Sequence, residues 1–180
     1  STFDGLPLSL WCNTAGCTAQ AYPFRVSLNV VKLNARKGTP LNFRVAAQTL
    51  APVTQTWNRI VWQVTNRTVQ VPVGRWVTLE YAYLEGNAST GRFYLAMTPD
   101  GGTRTVLFDV RSWTHHPDDR APDGLTHINP LKLYTSKAVI DHVRNAGGTL
   151  QVYWDDLAFR LCRERQPEDV SPCAPASFGR

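Results

Sequence analysis

The chain has 180 residues, 43% hydrophobic and 18% charged, with six Trp, six Tyr and seven Phe. That length suits a single core, and the aromatic content excludes a disordered chain. Nineteen basic residues against fourteen acidic ones leave a formal net charge of +5, which favours an acidic partner.

No apolar run approaches the ~20 residues that cross a bilayer as a helix, so neither a transmembrane helix nor a membrane partner is expected. The opening STFDGLPLSL has no charged n-region ahead of an apolar stretch, so no uncleaved signal peptide is expected. Cys12 and Cys17 follow in the short polar segment WCNTAGC, and Cys162 and Cys173 flank a Pro-rich stretch near the other end. An even number of cysteines in such segments outlines two disulfides and a secreted, extracellular chain. The local pairing Cys12–Cys17 and Cys162–Cys173 is expected, with the two other connectivities open. Zinc is a poorer account, because neither C-x4-C nor C-x10-C is joined to a suitably placed His pair.

Beyond the first cysteines the hydrophobic period is two. Phe24, Val26, Leu28 and Val30 alternate with Arg25, Ser27 and Asn29, and Leu41, Phe43, Val45 and Ala47 alternate with Asn42, Arg44 and Ala46. Alternation of this kind predicts strands with one buried face. Further strands are predicted at Trp57–Thr65, Thr68–Val71, Trp76–Leu84, Arg92–Thr98, Thr105–Val110, Leu131–Thr135 and Leu150–Leu161. Turn residues separate them at Lys37-Gly38-Thr39-Pro40, Pro72-Val73-Gly74, Glu85-Gly86-Asn87 and Pro99-Asp100-Gly101-Gly102. One helix interrupts the pattern: Ser136 caps it, Val139, Ile140 and Val143 share a face, and Gly147-Gly148 ends it. One helix among eight or nine strands defines an all-β fold, an antiparallel β-sandwich over residues 1–161. The polar residues 162–180 are expected to form a tail pinned by a disulfide. Asn66-Arg67-Thr68 and Asn87-Ala88-Ser89 are N-glycosylation sequons, relevant in a source that glycosylates secreted proteins.

Three segments resemble the concanavalin A-like jelly-roll families of lectins, glucanases, carbohydrate-binding modules and polysaccharide lyases. Val71-Pro72-Val73-Gly74-Arg75-Trp76-Val77-Thr78-Leu79-Glu80 is similar to the Gly-x-Trp turn leading into a central strand, with Gly91-Arg92-Phe93-Tyr94-Leu95 as the hairpin after it. Leu131-Lys132-Leu133-Tyr134-Thr135 resembles the Lys-x-Gly-x-Tyr strand of jelly-roll lyases, with Leu133 at the glycine position. Val152-Tyr153-Trp154-Asp155-Asp156-Leu157 resembles the closing strand of sugar-binding jelly rolls. The chain lacks the Glu-x-Asp-x-x-Glu strand of the glucanases and the Arg-x-Glu-x-Arg and Gln-x-His strands of alginate lyases. The resemblance therefore implies a fold more firmly than an activity.

In a jelly roll the outward residues of one curved sheet form the groove that holds a sugar chain. Alternation nominates Arg25, Ser27, Asn29, Asn42, Arg44, Arg59, Gln63, Glu80, Arg92, Tyr94, Lys132 and Tyr134. Their amide, guanidinium and phenol groups hydrogen-bond hydroxyls and pair with uronate carboxylates. Trp57 and Trp62, an odd number of positions apart, are expected on opposite faces of one strand. Trp113 is a candidate stacking platform. The segment 114–129 (THHPDDRAPDGLTHIN) holds His115, His116 and His127 with Asp118, Asp119 and Asp123. An imidazole there suits a general base better than a metal ligand, because the spacing is unlike H-E-x-x-H. By the same resemblance Asp155, with Asp4 as a second ligand, is a candidate for a structural Ca²⁺, the alternative being an ion pair with Arg. No cofactor is expected to take part in catalysis.

The leading expectation is extracellular carbohydrate recognition by such a groove, in a monomer or a module of a larger protein, with a polysaccharide or oligosaccharide as partner. Arginines dispersed singly among apolar residues argue against a nucleic-acid track. The alternative is a polysaccharide lyase acting on an acidic glycan. Arg59 or Gln63 would then neutralise the uronate, Tyr134, His115 or His116 would take the C5 proton, and Lys132 would lower the phenol pKa. Glycoside hydrolysis ranks last, because it needs two carboxylates about 5–9.5 Å apart, and only Glu80 with Asp155 offers itself.

Overall fold

The computed structural model describes residues 2–6, 22–34, 38–51, 56–122 and 137–158. The four cysteines, Lys132, Tyr134, His127, Asp123, the predicted strand Leu131–Thr135 and the tail from 162 lie outside them. The chain divides into two compact units, residues 1–150 and 151–180.

Among the described residues the first unit carries seven strands and one helix. The strands are β1 (Thr2–Leu6), β2 (Phe24–Lys32), β3 (Leu41–Ala51), β4 (Thr56–Gln70), β5 (Val77–Leu84), β6 (Arg92–Pro99) and β7 (Thr105–Arg111). They form two antiparallel sheets in the orders β1-β2-β3-β4 and β5-β6-β7. Every described pairing joins strands consecutive in the chain, the order of a meander. The one-face alternation has its expected consequence. Val26, Leu28 and Val30 of β2 and Phe43, Val45 and Ala47 of β3 join Phe93, Leu95 and Met97 of β6 and Leu107 and Phe108 of β7 in one cluster. Burying such side chains contributes roughly 1.5–3 kcal/mol each, so this cluster is the main source of stability.

β4 runs through the break expected between residues 65 and 68. Its register against β3 slips between the pairs Arg44↔Thr65 and Asn42↔Gln70. The Asn66 side chain organises the slip: its Oδ1 accepts from the Thr68 amide (3.0 Å), the Thr68 hydroxyl (3.0 Å) and the Val69 amide (2.8 Å). Its Nδ2 donates to the Leu107 carbonyl of β7 at 3.0 Å, tying one sheet to the other. Each such bond contributes about 0.5–1.5 kcal/mol net. Asn66→Ala is therefore expected to cost about 2 kcal/mol, read by urea unfolding. Asn66→Asp, which keeps the acceptor and loses the donor, falls between; an unchanged midpoint in both would show that the slip holds itself.

The helix α1 (Lys137–Asn145) ends as its glycines predict. The Gly148 amide donates to the Val143 carbonyl and the Gly147 amide to the Arg144 carbonyl, both at 2.9 Å, and Gly147 sits at φ 75. These paired bonds close a Schellman cap, whose left-handed residue glycine adopts without a Cβ clash. Lys137 pairs with Asp141 one turn on.

In the second unit, residues 151–158 carry no strand, which corrects the expectation for Leu150–Leu161. Asp156 takes φ 52, its amide donates to Asp155 Oδ1 at 2.9 Å, and the Tyr153 hydroxyl donates to Gln151 Oε1 at 3.0 Å. Local side-chain bonds of this kind compete with a ladder, and a left-handed residue ends an extended run. Tyr153 and Leu157 are exposed.

Candidate functional site

Register places a polar ladder on the face of β2, β3 and β4 opposite the core. Arg25 pairs with Gln48, Ser27 with Ala46, and Asn29 with Arg44; on the far side of β3, Gln48 pairs with Ile60, Ala46 with Gln63, and Arg44 with Thr65. Paired residues share a face, so Arg25, Ser27, Asn29, Arg44 and Gln63 come together as the sequence alternation required. Gln48 and Thr65 extend the same alternation and belong with them.

The ladder is internally ordered. Gln48 Oε1 accepts from Arg25 Nε (2.9 Å) and Nη2 (2.8 Å), and Gln48 Nε2 donates to the Trp57 carbonyl (2.8 Å). The Arg25 guanidinium lies over the Trp57 ring, 4.8 Å from its centroid. Asn29 Nδ2 donates to Ser27 Oγ at 3.3 Å, and Arg44 Nε donates to Thr65 Oγ1 at 3.0 Å. Ser27 and Asn42 are buried, and Asn42 Nδ2 is spent on the Val69 carbonyl, so neither side chain is open on this face.

Arg59 does not join the ladder. Trp62 pairs with Ala47 but Ile60 with Gln48, so Val61 is an extra residue in β4. This bulge turns Val61 and Trp62 together toward the core and leaves Arg59 opposite buried Thr49, on the other face. Simple parity places Arg59 and Gln63 on one face; the bulge separates them. Trp57 and Trp62 do part as expected: Trp62 packs on Phe93 with ring centroids 6.4 Å apart, while Trp57 lies beneath Arg25.

Arg92 and Tyr94 are also not groove residues, being only 4% and 1% exposed. They sit on β6, the central strand of its sheet, and both its faces are covered. Arg92 Nε and Nη2 each donate to one oxygen of Asp109 at 2.7 Å. That bidentate pairing holds the Asp109 carboxyl below its usual range and raises the guanidinium further. Arg104 donates through Nε to Glu80 (2.6 Å) and through Nη2 to the Tyr94 hydroxyl (2.9 Å), and lies over the Tyr94 ring. Glu80 is thereby occupied as an ion-pair partner. Arg104 precedes β7, where no period marks it.

A second cluster forms after β7. The Trp62 indole donates to the Trp113 carbonyl at 2.7 Å, and the Tyr83 hydroxyl donates to the Thr114 carbonyl. Burial, foremost, and the Glu85 charge raise the Tyr83 pKa, while the Thr114 hydrogen bond opposes them. Buried Thr114 donates through Oγ1 to the Leu84 carbonyl at 2.7 Å. On these anchors the Nδ1 atoms of two histidines take opposite hydrogen-bond roles. His115 Nδ1 faces the His116 carbonyl at 2.9 Å, and a carbonyl only accepts, so Nδ1 is the donor and Nε2 is left outside this contact. His116 Nδ1 instead accepts the Asp118 amide at 3.1 Å, so its proton sits on Nε2. His115 meets the Trp113 ring edge-on at 5.2 Å, and His116 packs on Tyr22 at 5.3 Å. Of the two, only His115 offers a ring nitrogen suited to accept a proton.

Burial holds the His116 imidazole below its usual range; Asp118 and Asp119 oppose that shift, and Arg59 and His115 reinforce it. A depressed folded-state pKa contributes stability above the ordinary histidine value of about 6.5, which is lost as pH falls through the folded value. Melting temperature is accordingly expected to fall on acidification below that point, and His116→Gln to flatten the slope. Equal slopes in the two proteins would refute the assignment.

Among the described residues no group of three or more His, Cys, Asp or Glu is placed to hold a metal ion. Asp4 lies in β1 and Asp155 in the second unit. No family model matches the chain, and no curated protein or solved structure matches it either.

Proposed function

We propose that the two sheets pack as a β-sandwich and that the chain recognises carbohydrate outside the cell, through the polar face of β2, β3 and β4. One observation carries the reading: adjacent ladder positions present guanidinium, amide and hydroxyl groups beside a Trp ring, already ordered by their own hydrogen bonds. Such groups bond sugar hydroxyls in both directions, and pre-ordering lowers the entropy lost on binding. Four cysteines suit an oxidising compartment. Affinity electrophoresis through gels containing neutral or acidic polysaccharides tests it. Retarded migration in at least one of them is expected; unretarded migration in all would overturn the reading.

A second reading, polysaccharide lyase, has the His115 tautomer in its favour. His115 Nε2 would take the C5 proton of a uronate as the C4–O bond breaks, leaving a C4–C5 double bond, with the departing oxygen protonated by solvent. Ultraviolet absorbance of the unsaturated ends distinguishes this from binding alone. Its complete absence over the whole panel would remove the lyase reading.

A further inference from the structure

Charge on the two sheets is arranged differently. β2, β3 and β4 carry Arg25, Lys32, Arg44, Arg59 and Arg67 and not one Asp or Glu, the described carboxylate of their sheet being Asp4 on β1. On the other sheet Arg92 has Asp109, and Arg104 beside it has Glu80. Arg44 is central to the contrast. Its Nε is anchored on Thr65 Oγ1, the side chain is half-buried, and among the described residues nothing else bonds its guanidinium. A guanidinium held by one edge presents its terminal amino groups as a fixed fork for an oxyanion.

We infer that the ladder takes an anionic polysaccharide, with a carboxylate or sulfate of the chain seated on Arg44; this rests on the carbohydrate reading above. The spacing of charge selects the class of polymer. Arg25 stands opposite Gln48, four positions along β3 from Arg44, about 14 Å at ~3.4 Å per residue. Beside the two arginines lie Asn29, Gln63 and Thr65, donors and acceptors for neutral hydroxyls. A duplex nucleic acid carries a charge every ~1.7 Å of axis and calls for a dense basic track. Two guanidiniums so far apart with hydroxyl-binding groups beside them fit a chain of sugars bearing sparse charges.

Titration calorimetry with polygalacturonate, dextran sulfate, dextran and duplex DNA, at several salt concentrations, tests this. Binding of one or both anionic glycans is expected, with dextran and DNA at least tenfold weaker; which anionic glycan binds tells carboxylate from sulfate. Arg44→Gln should weaken binding about tenfold and lower the salt slope by about one. Arg44→Lys should recover the slope and only part of the affinity, and Arg120→Gln should bind as wild type. Melting curves of each variant separate lost binding from lost fold. Salt-independent binding of dextran as tight as that of the anionic glycans overturns the inference and leaves the carbohydrate reading standing. No binding to any glycan overturns both. DNA binding as tight as glycan binding overturns the glycan class.

Discussion

Gly91→Ala is expected to cost 3 kcal/mol or more, about 6–12 °C in melting temperature for a protein of this size. Gly91 lies just before β6, where the β5–β6 turn meets the segment after β7. A Cβ there would sit 2.2 Å from the Ser112 carbonyl oxygen, 2.6 Å from the Gly86 carbonyl oxygen and 2.6 Å from Thr114 Oγ1. Two of those atoms are backbone and cannot swing away. The same residues are bonded in place: the Ser112 amide donates to the Gly91 carbonyl (3.1 Å), and the Thr114 amide to the Gly86 carbonyl (3.0 Å). Relief of the clash would move residues 112–114, and with them Trp113 and His115. Gly101→Ala is the control. Gly101 takes φ 66 with nothing within 4 Å of a built Cβ, so only backbone strain of about 1–2 kcal/mol is due. Thermal melts that rank the two variants equally would show that the close approach does not govern stability.

Asp109→Ala is expected to cost about 2–3 kcal/mol. The Arg92 side chain is 5% exposed and Asp109 41% exposed, so the substitution takes the carboxylate from a buried guanidinium. Removing one partner of a fully buried pair costs about 3–5 kcal/mol, and the exposure of Asp109 reduces that figure. The sign of the pH dependence follows from the lowered Asp109 pKa. Its contribution is present above the ordinary carboxylate value of about 3.9 and is lost as pH falls through the lower folded value. Denaturant unfolding at neutral and strongly acidic pH should show the gap between wild type and variant narrowing in acid. A gap of constant size would mean that Arg92 is held by something other than its carboxylate.

Much of this architecture is legible residue by residue. The strands β2, β3, β5, β6 and β7 follow from alternation, and the helix end follows from Gly147-Gly148, because both signals are local. β1 is absent from the sequence reading: Thr2-Phe3-Asp4-Gly5-Leu6 has no alternation to read, and it pairs only because β2 offers an edge. The final strand fails for the opposite reason. Val152-Tyr153-Trp154 has the composition of a strand, but Asp155 and Asp156 satisfy the backbone locally. On the ladder, Arg25, Asn29, Arg44 and Gln63 were readable because parity holds along β2 and β3. Arg59 was not, since one inserted residue at Val61 reverses its face relative to Gln63.

By itself, then, the sequence determined which residues alternate, where turns fall, and that arginine outnumbers lysine fifteen to four. Tertiary structure alone decided what each polar position meets. Arg92 and Tyr94 carry the same alternation as Arg25 and Arg44, yet they meet Asp109 and Arg104, whose positions are set by β7 and the turn before it. Whether a guanidinium meets a carboxylate, as Arg92 does, or an amide or hydroxyl, as Arg25 and Arg44 do, depends on the neighbouring strand. Strand neighbourhood is a long-range property that no local period encodes.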